Sequence, residues 1–297
     1  MAVLLANAPV SWGVDVPDKP GAPAWADVYR EISQAGYRWC ELGPRGYLPE
    51  DDEKVRAELD TLGLRVAGSF IFEPVHDPSH HEDVAAITRG TCARIAGLGG
   101  RFLVVIDMVS EERDATAGRG DRAPRLDGAA YGHLLDGLRR VIGIAGEHGL
   151  TPVLHPHAGT YIEFEDEIAR VLDDTADDGL QLCIDTGHLA YAGIDPVGFF
   201  ASHRARVLYL HFKDVDAGVH AKVLRERIPF FDAISHGVFC PLGRGMVDFV
   251  ALAAELASGF DGPGTVEQDR DPSADTTPLQ DAVTSREFLE SLGLADT

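Results

Sequence analysis

Membrane-spanning apolar runs, cysteine motifs and excess positive charge are all missing from these 297 residues, and each absence excludes a class of protein. No apolar stretch approaches the roughly 20 residues that a membrane helix needs. The four cysteines, Cys40, Cys92, Cys183 and Cys240, are scattered with no CxxC, so neither a disulfide framework nor a zinc finger is indicated. Lys and Arg total 26 against 48 Asp and Glu, a net charge of −22. Such a surface repels phosphate backbones, which argues against nucleic acid as a partner. The opening MAVLLANAPVSWG has no basic segment ahead of its short apolar run. The expectation is therefore a cytoplasmic protein with no membrane association. No Pro/Gly/Ser-rich linker divides the chain, and no GxGxxG follows the first apolar run.

What is present is alternation. Short β-type runs at 3–7, 37–42, 65–71, 102–107, 151–155, 181–185, 206–212 and 264–268 alternate with amphipathic runs at 24–36, 50–62, 81–98, 128–148, 164–174, 195–203, 246–258 and 277–292. Glycines at 36, 63, 99, 149 and 259 stand near the helix ends. Strict alternation implies a parallel sheet. Eight β-α units over this length predict an α/β protein, a (β/α)8 TIM barrel formed as a single domain over 1–297. Two connections, 108–127 and 213–245, exceed the usual length. Both follow a strand and so belong to the C-terminal mouth, where long loops are candidate lids. Residues 213–245 carry Phe, Ile, Val and Pro side chains that need something to pack on.

The predicted strand ends carry the chemistry. The fifth ends in LHPH, the sixth in IDTGH, the seventh in LHFKD and the eighth in VEQD. Singly, a strand-end Asp often caps a helix, and a strand-end His is often a hydrogen-bonded surface group. Four successive ends converge on one circle at a barrel mouth, which favours a metal site made of His155, Asp185, His211 and Glu267. A mixed imidazole and carboxylate set suits one divalent ion, Mn²⁺ or Co²⁺ first and Zn²⁺ or Fe²⁺ next. Such an ion leaves room to chelate a carbonyl and an adjacent hydroxyl and to stabilise an enolate.

Around this set, His157 and His188 are candidates to orient ligands, bind substrate or shuttle protons. Lys213 is a candidate to polarise a carbonyl or bind a hydroxyl, while Asp214 and Asp269 also fit capping roles. Asn7, Ser11 and Trp12 of NAPVSWG are expected at the same mouth, with Trp12 as a platform for a sugar-like ring. Glu41, ending CELG, is expected across the barrel as an acid/base. Phe70, Phe72, Glu73 and Asp107 are weaker candidates of the same kind. Arg244 of PLGRG is a candidate to bind an anion or hydroxyls.

These residues resemble the xylose-isomerase-like barrel superfamily over essentially the whole chain, through the Asp-x-x-His at 185–188, the H-x-K-D at 211–214 and Glu267. Many members carry Glu where this chain has His155. The segments APVSWG at 8–13, HPHAGTYIE at 155–163 and FFDAISHGVFCPLGRGMVDF at 230–249 are similar to the inosose (2-keto-myo-inositol) dehydratase branch, which also has a His-rich fifth strand end. That branch often has an acidic residue where this chain has Arg244, which bears on the substrate. The resemblance implies a metal-dependent hydro-lyase removing water from a cyclic polyol ketone, with Glu41, His188 and Glu267 as contenders for base and acid. A keto-sugar isomerase or epimerase begins with the same enolate and is the alternative. An abasic-site endonuclease fits poorly with the acidic charge, and a non-catalytic binding subunit fits poorly with a complete ligand set. The expected partner is a small polyol or keto-sugar. Acidic barrels of this size often pair, so a homo-oligomer is compatible with the sequence, which names no interface.

Overall fold

In the computed structural model, residues 3–17, 20–270 and 275–294 are described. The chain forms β1 (Leu4–Asn7), α1 (Trp25–Gln34), β2 (Trp39–Glu41), α2 (Asp52–Leu62), β3 (Arg65–Glu73), α3 (His81–Gly97), β4 (Phe102–Asp107), α4 (Glu111–Asp114) and α5 (Gly128–Glu147). It continues through β5 (Thr151–Leu154), α6 (Glu165–Asp174), β6 (Gln181–Asp185), α7 (Thr186–Tyr191), α8 (Pro196–His203), β7 (Val207–Phe212), β8 (Asp214–Val215), α9 (Ala217–Glu226) and α10 (Phe230–Ser235). It ends with β9 (Phe239–Cys240), α11 (Phe249–Ala257), β10 (Pro263–Val266) and α12 (Pro278–Ser291). The strands β1-β10-β7-β6-β5-β4-β3-β2 close on themselves as a barrel, with every pairing parallel. No described helix is long and apolar enough to cross a membrane.

The barrel strands are apolar on both faces because both faces are covered. In β6, Leu182 and Ile184 belong to the large core between strands and helices, while Cys183 joins Val104, Val153 and Tyr209 inside the barrel. Asp and Thr side chains start several of the helices. Asp51, Asp127, Asp195 and Asp248 cap α2, α5, α8 and α11, and Thr277 with Gln280 forms a capping box on α12. At the other end of α2, Gly63 takes φ 67°, the left-handed turn that glycine permits without strain.

The two long connections fold differently. Residues 213–245 build a small β8–β9 ladder with α9 and α10 over the mouth. The other connection is held down by Arg113 of α4, which is fully buried. Its guanidinium donates to both oxygens of Glu167 (2.7 and 3.0 Å), to Glu163 Oε2 (3.2 Å) and to the Pro124 carbonyl (2.8 Å). It also lies over the rings of Tyr161 and Phe164. These contacts tie residues 108–127 to the segment that leads into α6 and to its first turn.

Glu163 has a further consequence. Burial pushes its carboxyl up to about 7, against the pull of the Gly118 and Gly159 amides and of Arg113, whose charge Glu167 already answers. A carboxyl whose folded pKa exceeds its unfolded one stabilises the fold at low pH. That contribution fades as pH rises through about 7. We expect the stability of Glu163→Gln relative to the wild type, measured by urea unfolding, to improve between pH 5 and pH 8 by on the order of 2–3 kcal/mol. A pH-independent difference would contradict this.

Candidate active site

Strands β5, β6, β7 and β10 are consecutive around the barrel, and their ends deliver His155, Asp185, His211 and Glu267 to one point. Asp185 and His211 are register partners, Glu267 N–H donates to the Phe212 carbonyl (3.0 Å), and His155 N–H donates to the Val105 carbonyl (2.9 Å). Side chains alternate along a strand, so the residues two positions earlier, Val153, Cys183, Tyr209 and Thr265, lie one layer deeper. One donor atom from each of the four lies within 4.8 Å of the others.

The hydrogen bonds around this cluster leave its lone pairs pointing inward. His155 Nδ1 donates to the Pro156 carbonyl (2.9 Å), which leaves Nε2 facing Asp185 Oδ2 at 3.5 Å. Asp185 divides its oxygens. Oδ1 accepts the His188 amide (2.8 Å) and caps α7, while the buried Oδ2 has no hydrogen-bond partner. His211 Nε2 donates to Glu41 Oε1 (2.9 Å), and the buried Nδ1 on its other edge is likewise unpartnered, 3.4 Å from Glu267 Oε2 and 3.9 Å from Asp185 Oδ2. Two orphaned buried polar atoms inside a cluster of imidazole and carboxylate donors fit a divalent cation. Burial opposes the Asp185 charge, but the Lys213 ammonium beside it holds its carboxyl well below the usual range. Burial likewise opposes a charge on His211, yet Cys183, Glu267 and Glu41 raise its pKa well above the ordinary value. A cation entering the cluster therefore displaces a proton.

Glu41 corrects an expectation. It is fully buried beneath the cluster, and its Oε1 accepts from Tyr209 Oη (2.9 Å) as well as from His211. Burial works against its charge, but His211, Thr265 and Tyr209 hold its pKa below the ordinary value. Its carboxylate orients His211 and does not line the cavity. Tyr209 went unnoticed in the sequence, although it stands two residues before His211 on the same strand face.

Lys213 joins the site from the end of β7. Its Nζ lies 2.8 Å from Asp269 Oδ2, 3.2 Å from Glu267 Oε2, 3.4 Å from Asp185 Oδ2 and 3.3 Å from His188 Nε2. Burial disfavours the ammonium, but Asp185, Asp269 and Glu267 raise its pKa well above the ordinary value. Gly187 makes room for it: a Cβ there would stand 2.6 Å from Lys213 Cγ. Burial opposes ionisation of Glu267 and raises its pKa, with His211 and Lys213 pulling the other way. His157 and His188 are driven well below the usual imidazole range by burial and then by neighbouring histidines and Lys213.

Above these groups is a cavity of about 280 Å³, near the lower end of the range for small-molecule sites. His155, His157, His188, His211, Lys213 and Glu267 line its floor, and Phe70, Phe72, Phe230, Phe231 and Ile234 contribute walls. The aromatic residues of 213–245 thus pack over the mouth. Two expectations are corrected. Trp12 ends a 3₁₀ turn and faces outward, where its Nε1 donates to Glu31 Oε2 (2.7 Å) and its ring joins the outer core. Arg244 is exposed and lies outside the cavity lining. Its loop is wrapped around Asp214, which accepts the amides of Gly243 (2.9 Å), Gly245 (2.8 Å) and Val247 (3.1 Å). The cavity-lining arginine is Arg270, paired with Asp281.

Comparison with known proteins bears on the family and the fold. The family model described as xylose isomerase-like TIM barrel matches residues 29–292. The chain is 30% identical over 300 residues to the inosose dehydratase of Geobacillus thermodenitrificans (strain NG80-2), covering 98% of each chain. It is 31% identical over 289 residues to the inosose dehydratase of Geobacillus kaustophilus (strain HTA426), covering 96% of this chain and 93% of that one. The structure of the IOLI protein with a bound zinc atom superposes with a TM-score of 0.73 at 15% identity, covering 98% of both chains, which is a likeness of fold.

Glu41→Gln keeps the shape of the group that orients His211 but removes its charge. Isothermal titration with zinc is expected to show a loss of about 10–100-fold in affinity. In the wild type, zinc affinity should rise from pH 6 to pH 8 as the His211 proton becomes easier to displace. An unchanged affinity in the variant, together with a pH-independent wild type, would contradict the reading of this cluster.

Proposed function

We propose that this chain, which belongs to the xylose isomerase-like TIM barrel family and is an enzyme of that family, removes water from a cyclic polyol ketone of the 2-keto-myo-inositol type. The observation that carries the reading is the cluster of His155, Asp185, His211 and Glu267, with unpartnered donors turned inward under a small cavity. The names of the relatives support the substrate class. These four residues would hold one divalent ion, with Mn²⁺ or Co²⁺ ahead of Zn²⁺ or Fe²⁺ for a mixed nitrogen and oxygen set. Bound there, the ion supplies positive charge at the ketone oxygen and an adjacent hydroxyl, which makes the neighbouring C–H more acidic.

The protein's own groups then move the protons. Glu267 Oε1 takes the proton from the carbon next to the carbonyl, and the electron pair of that C–H bond becomes the enol double bond. As the C–O bond at the next carbon breaks, the carbonyl re-forms, the enol pair becomes the new C=C bond, and the C–O pair leaves on the oxygen, which takes the Lys213 Nζ proton and departs as water. Glu267 and Lys213 stand 3.2 Å apart, so the proton gained by one can restore the other. Phe230, Phe231 and Ile234 give the reacting groups an apolar border. One barrel domain carries the whole reaction. The acidic surface favours a small-molecule partner over nucleic acid, and four free cysteines suit the cytoplasm.

The test is turnover of 2-keto-myo-inositol by Mn²⁺-loaded protein, followed by ultraviolet absorbance of the conjugated product. We expect absorbance to grow with the wild type and to slow about 10²–10⁴-fold in Lys213→Met, without loss of bound metal. Deuterium uptake from solvent with an epimer accumulating, and no absorbance, would replace dehydration by epimerisation.

A further inference from the structure

Helix α10 is held by a residue that lies outside it. Its first amides, at Phe230 and Phe231, have no partner inside the helix, and Pro229 before them has no side-chain oxygen. Asp114 of α4 supplies the acceptor. Its Oδ1 takes the Phe231 amide at 3.0 Å, and the same carboxylate faces the Phe230 amide. The turn into α10 starts at Arg227, the only non-glycine among the described residues with a left-handed backbone (φ 57°). Such a conformation persists where surrounding contacts impose it. Asp114 is itself placed by the segment that follows β5. Its neighbour Arg113 pairs with Glu163 and Glu167. Gly159, at φ 80°, lets α4 lie close, because a Cβ there would stand 3.2 Å from Val109 Cγ1 and 3.6 Å from Asp114 Cα. At the far end of this path, Phe230 is buried, with its ring centroid 5.4 Å from that of His157, 5.6 Å from His188 and 5.3 Å from Tyr191.

We propose that Asp114 is a positioning residue for the reaction. From α4 it holds α10 where Phe230, Phe231 and Ile234 border the cavity, and it does so without lining the cavity itself. The inference rests on the dehydration reading for the identity of the substrate and adds the contact between two loops on which its binding depends. Without the Asp114 acceptor, α10 divides its time between this place and others, and only the first offers the complete cavity. Apparent affinity then falls with the fraction in place, while molecules that have bound react as before. The apolar border meets the substrate in its ground state and transition state alike, so the loss falls on KM and not on kcat. One charge-assisted hydrogen bond sets the scale, about 10-fold in KM for Asp114→Ala. Asp114→Asn keeps an oxygen acceptor in the same place. Asparagine caps helices about as well as aspartate, so this variant should stay within about twofold of the wild type.

The experiment is hydrogen–deuterium exchange by mass spectrometry on Mn²⁺-loaded wild type, Asp114→Ala and Asp114→Asn, beside steady-state kinetics on 2-keto-myo-inositol. The expected result is exchange over residues 228–236 that is about 10-fold faster in Asp114→Ala and close to wild type in Asp114→Asn, with β4, β5 and β6 unchanged in both. KM should rise in the alanine variant alone. Unchanged exchange of α10 in Asp114→Ala would overturn the hold. Faster exchange across the barrel strands would make Asp114 a general stabiliser and overturn its local role. Asparagine as damaging as alanine would overturn the hydrogen bond as the cause. A loosened α10 with KM unchanged, or a fall in kcat at constant KM, would overturn the link to substrate. Absence of both binding and turnover in the wild type would overturn the dehydration reading and that link with it, while exchange would still decide the hold on α10.

Discussion

A side-chain period of two along eight parallel strands is the constraint on which this site depends. Once β5, β6, β7 and β10 lie side by side, every second residue faces the barrel axis. The residues at their ends must then share one small volume. Apolar and hydroxyl-bearing side chains can fill the lower layer. The upper layer gathers two imidazoles and two carboxylates, whose mutual repulsions and unpartnered lone pairs call for positive charge. Lys213 supplies part of that charge, and the geometry of the donors suits a divalent cation for the rest.

Secondary hydrogen bonds decide what each group can do there. The Pro156 carbonyl and the Glu41 carboxylate choose which nitrogen of His155 and His211 faces the cluster. Asp185 serves a helix with one oxygen and the cluster with the other. The chemistry of the mouth is thus set as much by backbone carbonyls and amides as by the side chains that touch substrate. The same logic reaches out to the loops. Arg113 ties down residues 108–127 through Glu163 and Glu167, and Asp214 gathers three amides to hold the segment around Arg244 away from the cavity.

Much of this was legible in the sequence because periodicity is a local property. The eight strand and helix runs agree with the observed elements to within a few residues, and IDTGH and LHFKD mark strand ends without any knowledge of their neighbours. The meeting of His155, Asp185, His211 and Glu267 followed from placing four such ends side by side. What escaped depends on contacts between distant segments. Trp12 stands in a turn whose direction is set by Glu31 of α1. Glu41 was visible as a strand-end carboxylate, but its partners Tyr209 and His211 lie across the barrel. Arg244 follows a loop whose course is dictated by amides, which have no signature in residue type.

The central claim is that the four strand ends form one cation site. Its most direct test is elemental analysis of the purified protein after reconstitution with divalent metals, beside Asp185→Asn and His211→Gln variants shown to be folded by circular dichroism. The account predicts about one transition-metal ion per chain in the wild type and its loss in both variants, as expected when one ligand of four is removed. No bound metal in the wild type, or full occupancy retained in both variants, would contradict it.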